Sequence, residues 1–145
     1  MTDAALEQPV RLRVVLSIAA GLLAEVLTIA VVAIVFFGHR LIVGAETPEQ
    51  TQAFMMRAGS IVGPLFGVIF TFVMARWVVR KAKGRYLAHG VLVGLGAVVI
   101  HVITTIGAPG GYGVIHAIAD LLKLAAGAGA GLLTARANEV KGGTA

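Results

Sequence analysis

The 145-residue chain is 58% hydrophobic and 13% charged, carries a formal net charge of +5 and has no cysteine. This composition excludes an ordinary soluble domain, and the lack of thiols excludes disulfides, thiolate metal sites, iron–sulfur clusters and thiol catalysis. The positive excess is not a nucleic-acid signature, because the basic residues flank long apolar runs, where they set membrane topology.

Four apolar segments are each long enough to cross about 30 Å of hydrocarbon as a helix of about 20 residues. They are expected over residues 14–37, 58–79, 86–106 and 112–135. The first follows Arg11 and Arg13. It is too long for a signal peptide and no good cleavage site follows it, so it reads as a retained span. Ser17, Gly21, Glu25 and Thr28 align on one of its faces.

The next stretch, "GHRLIVGAETPEQTQAFMMRAGS", contains a helix start. Thr47 suits the N-cap, Pro48 the first helical position, and Gln50 closes a capping box. The second helix is therefore expected to begin near Pro48, with an outer extension over 48–57, and to bend at Pro64, which removes a backbone hydrogen bond. Within the span, Gly59, Gly63 and Gly67 align and continue to Thr71.

Arg76, Arg80, Lys81, Lys83 and Arg85 gather between the second and third spans. The third aligns Gly90, Gly94, Ala97, His101 and Thr104, while His89 falls near its inner edge beside the topology-setting residues. A glycine-rich turn, "GAPGGYG", leads to the fourth, which aligns His116, Asp120, Lys123, Gly127 and Gly131. Arg136 and Lys141 follow. The termini, 1–10 and 137–145, read as short and mobile, and no repeat or second domain divides residues 1–145.

The two remaining connections carry only Arg40 and Arg57, so the positive-inside rule places both termini in the cytoplasm. The expected fold is an all-α integral membrane protein, an antiparallel four-transmembrane-helix bundle. The Ala/Gly/Val-rich composition points to a multi-pass protein of a bacterial inner (cytoplasmic) membrane. The small and polar faces should form the interior, since membrane helices associate through close backbones and interhelical hydrogen bonds. The Gly59–Gly67 stripe could equally serve a homo-oligomer or a larger membrane complex.

Glu25 and Lys123 each fall about 13 residues from the inner end of their spans, roughly 20 Å up. His101 and Asp120 come a few ångströms further out, and His116 further still. A charge facing lipid costs about 3 kcal/mol or more, so these five groups should face each other or water.

The favoured reading is transport or binding of a proton, ion or small charged solute. Carboxylate and histidine chains suit proton relays, with Glu25 or Asp120 as the protonatable carboxylate and Lys123 as counter-charge or anion site. Four spans with a glutamate in the first are similar in layout to small multidrug transporters; none of their other motifs is present, so the likeness is one of layout. The alternatives are a non-catalytic accessory or assembly subunit, and a cytochrome-like anchor holding haem between His101 and His116. No other cofactor is expected, and no nucleophile–base motif points to an enzyme. A purely architectural role competes with all of these, because a buried ion pair can fix helix register.

Overall fold

The computed structural model describes residues 13–82, 84–107 and 111–142, with residues 141 and 142 described by backbone only. Arg11, Lys83, the side chain of Lys141 and the centre of the glycine-rich turn lie outside the described residues. The chain forms four helices: α1 (Val14–Val43), α2 (Pro48–Lys81), α3 (Tyr86–Ile106) and α4 (Val114–Gly142). Each is long and apolar enough to cross a membrane.

α2 starts at Pro48 through the expected capping box. The Gln50 N–H donates to Thr47 Oγ1 at 3.3 Å, and the Thr47 N–H donates to Gln50 Oε1 at 3.0 Å. A backbone hydrogen bond, helped by the Thr47 hydroxyl, holds the Glu49 carboxyl below its ordinary value. The helix then passes Pro64 without interruption.

Two boundaries differ from expectation. α1 runs past Phe37 to Val43, where Gly44, at φ 82°, turns the chain and donates its N–H to the Arg40 carbonyl at 3.1 Å. The extension has a partner: the His39 ring stacks on Phe54 of α2 with centroids 3.6 Å apart, and its Nδ1 lies 3.5 Å from Glu46 Oε2. α4 begins at Val114 and continues past Ala135 to Gly142, so residues 137–142, expected to be mobile, are helical. No glycine or proline interrupts Ala135 to Lys141, which explains the extra turns.

Helices consecutive in the chain run in opposite directions, whereas the packed pairs α1–α3 and α2–α4 run parallel. Thr28 with Gly67 and His39 with Phe54 pair α1 against α2, while Gly90 with Gly127 and Tyr86 with Gly131 pair α3 against α4. α1 also packs on α3 and α2 on α4; α2 meets α3 across one diagonal, and α1 reaches α4 across the other only through side chains.

The interior is built from small residues. Ala20, Ala24, Ala75, Val78, Val93, Ala97 and Ala130 are buried, whereas Leu23, Val26, Ile34, Ile103 and Leu121 point outward. Ser17, Thr28, Thr71 and Thr134 are buried too. Apolar side chains outside and polar ones inside is the reverse of a water-soluble bundle and suits an apolar solvent.

Glycines bring backbones into contact at one end of the bundle. A Cβ at Gly21 would lie 2.2 Å from the Val93 carbonyl oxygen, and one at Gly90 2.1 Å from that of Gly127. Gly96, Gly127 and Gly131 make similar approaches to Ile18, Gly90 and Tyr86. The Gly59–Gly63–Gly67 stripe does not pack as one face of the interior. Only Gly67 is in contact; a Cβ at Gly59 or Gly63 would meet nothing within 4 Å.

Candidate functional site

The site is organised on α4, where His116, Asp120 and Lys123 stand at i, i+4 and i+7 on one face. Lys123 is 0% exposed. Its Nζ donates to Glu25 Oε2 of α1 at 2.8 Å and lies 3.6 Å from Asp120 Oδ1. Room for this long side chain comes from Gly67 on α2, where a Cβ would sit 2.7 Å from Lys123 Cε. Thus α1 supplies the counter-ion, α4 the cation and α2 the missing side chain.

Asp120 continues the chain. Its Oδ1 lies 2.5 Å from His101 Nδ1 on α3, and its Oδ2 accepts from the Tyr112 hydroxyl at 2.7 Å. The other nitrogen of His101, Nε2, is 3.3 Å from His116 Nδ1. With Asp120 ionised, His101 Nδ1 carries a proton. A neutral His101 then accepts from His116 at Nε2, and a protonated one donates to it. All five residues expected from the sequence are therefore joined in one series, His116–His101–Asp120–Lys123–Glu25. Two carboxylates and one ammonium leave one negative charge, which a single histidine proton would cancel.

Access is graded along this series. Tyr112 is exposed, His116 and His101 are partly buried, and Asp120, Lys123 and Glu25 are sealed inside. Beyond Glu25, towards the other end of the bundle, come the glycine contacts of Gly21 and Gly90. The Thr71 hydroxyl is buried on α2, one turn from Gly67, and has no hydrogen-bond partner.

Two residues make polar contacts to the bundle that the sequence did not single out, Tyr112 from the exposed end and His89 from within. Tyr112 was only part of a turn. His89, expected near the membrane edge, is 1% exposed, and its Nδ1 lies 3.0 Å from Ser17 Oγ. That hydroxyl donates to the Arg13 carbonyl at 3.0 Å, so the histidine nitrogen is the donor to it. A signal for His89 did exist: His89, Val93, Ala97, His101 and Thr105 form one i+4 ridge, and all but the partly buried His101 are fully buried. Thr104, expected on the inner face, is exposed and Thr105 takes its place, because the inward line follows this ridge around crossing helices.

Among the described residues, no group of three or more His, Asp and Glu is arranged to hold a metal ion. The His101 and His116 rings are neighbours, with centroids 5.3 Å apart and one nitrogen of His101 taken by Asp120. This packing leaves no gap between the rings for a flat macrocycle.

Comparison with known proteins finds no family model that matches the chain, and no curated protein or solved structure that matches it significantly.

Proposed function

We propose that this chain is a multi-pass protein of a cytoplasmic (inner) membrane whose buried series takes up and releases a proton, in the service of proton-coupled transport. The observation that carries this reading is the unbroken line of titratable groups from partly exposed His116 to fully buried Lys123. A proton arriving at His116 passes to His101 through their nitrogen contact and is drawn onward by Asp120. Neutralising Asp120 removes one of the two carboxylates that share Lys123, leaving the ammonium to Glu25 alone. The protonation state at the exposed end thereby changes the charge balance at the buried end, which is the coupling a transport cycle uses.

The test is proton flux into liposomes carrying an internal pH dye. Wild-type vesicles are expected to equilibrate an imposed gradient faster than protein-free ones. Glu25→Gln and Asp120→Asn should abolish the difference, and His116→Ala should slow it. Equal rates for wild-type and empty vesicles, with no titration of a carboxylate band in the infrared spectrum, would sink the proposal.

The open Gly59–Gly63 face supports a second reading, an accessory subunit of a larger membrane complex or a homo-oligomer. Migration of the extracted protein as a monomer on native gels, unchanged by Gly63→Leu, would count against it.

A further inference from the structure

We propose that the end of α2 between Phe72 and Lys81 binds the headgroup and first acyl segment of an anionic phospholipid. The proposal rests on the membrane reading above but not on the proton-exchange site. A groove of about 400 Å³ runs here, lined by Phe72, Val73, Arg76, Trp77, Arg80 and Lys81. No acid lines it, and none of the ion pairs among the described residues involves its three cations.

The order of these residues along the helix matches the order of parts in a phospholipid. Phe72, Arg76 and Arg80 stand in one i+4 column, and Val73, Trp77 and Lys81 in the next. Each column begins apolar towards the middle of the helix and ends basic at its terminus. Acyl chain along Phe72 and Val73 would put the phosphate beside Arg76, Arg80 and Lys81, where a guanidinium can bind two phosphate oxygens at once.

Two contacts prepare the groove. Arg76, only partly exposed, donates from Nη1 to Thr134 Oγ1 of α4 at 3.2 Å, and this fixes its stem against the neighbouring helix. The Lys81 ammonium sits 4.0 Å from the centre of the Trp77 ring, which aims it over the groove. Topology alone asks only for positive charge on this side of the membrane. It does not ask for an arginine one turn inside, pinned to another helix.

Trp77 is the sole tryptophan in the chain, so its fluorescence reports on this groove alone. The full chain is reconstituted in phosphatidylcholine vesicles with a fixed small fraction of brominated lipid, either phosphatidylglycerol or phosphatidylcholine. Two or three engaged cations, at roughly five-fold each, should give the brominated anionic lipid an advantage of roughly thirty-fold or more in apparent affinity. Arg76→Gln/Arg80→Gln/Lys81→Gln should remove that advantage, and Arg40→Gln/Arg57→Gln, at the opposite end, should keep it. Soluble glycerophosphate in excess should not reverse the quenching. Equal quenching by the two lipids, loss in both variants alike, or reversal by glycerophosphate would each overturn the proposal, the last by making this a free-anion site. If neither lipid quenches Trp77, the chain is not inserted and the membrane reading itself fails.

Discussion

The two ends of this bundle solve helix association in opposite ways. At the His89 end the backbones touch: Gly21 against Val93, Gly96 against Ile18, Gly90 against Gly127. At the His116 end the helices are joined by side chains, with Lys123 reaching across the diagonal to Glu25 and Asp120 tied to both His101 and Tyr112. The first arrangement is close-packed; the second holds the charged series, which runs from buried Glu25 and Lys123 to partly buried His116 and exposed Tyr112. Their combination gives a site open from one end and sealed at the other. Under the proposed function, proton uptake would need only the open end, whereas transport would need the glycine contacts to separate. The two ends should therefore respond to opposite kinds of substitution, loss of charge at one and gain of volume at the other.

The largest effect is expected from Lys123→Met, which leaves two carboxylates buried without a cation and should cost about 3–5 kcal/mol in detergent unfolding. Adding Glu25→Gln should recover part of that loss, and adding Asp120→Asn most of the rest, because Lys123 serves both acids. Strict additivity across this series would break the proposed pairing. Next comes Gly90→Val, where the new side chain meets the Gly127 backbone rather than a movable group. It should cost about 3 kcal/mol, at the upper end for overpacking, and leave the charged series intact. If proton flux into liposomes falls while proton uptake by the carboxylates is unchanged, the seal takes part in transport. Smaller again is Tyr112→Phe, which deprives Asp120 Oδ2 of its donor and should cost about 1 kcal/mol. Its value is diagnostic, since it slows uptake only if the surface end of the series is the entrance.

The sequence made the four helices legible because long apolar runs and one complete capping box leave few choices. It also made the site's membership legible, because ionisable groups at i, i+4 and i+7 in an apolar helix have nowhere else to go. The pairings were not readable. Tyr112 reaches Asp120 from a turn whose path follows no periodicity. His89 was hidden by its nearness to arginines that set topology, although its i+4 ridge leads to His101. The α1 extension to Val43 depends on a contact with Phe54 that only the folded hairpin creates. The different fates of the α2 glycines likewise depend on which side chain stands opposite each, Lys123 for Gly67 and none within reach for Gly63.

The α2 glycines carry the smallest expected effect and the one that separates a proton-exchange role from an assembly role. Gly67 and Gly63 are one turn apart on the same helix and indistinguishable by pattern. A Cβ at Gly67 would collide with the end of Lys123, which its bond to Glu25 holds in place, so Gly67→Ala should destabilise. A Cβ at Gly63 meets nothing, and alanine is the better helix former, so Gly63→Ala should be neutral or stabilise by about 0.5 kcal/mol. In the isolated chain this contrast tests the geometry. In native membranes it tests partnership: a Gly63→Ala protein that is stable when purified yet lost from the cell, or shifted to lower mass on native gels, would mark the stripe as an assembly face. Normal abundance and migration would leave the buried proton-exchange series as the function-bearing feature of the chain.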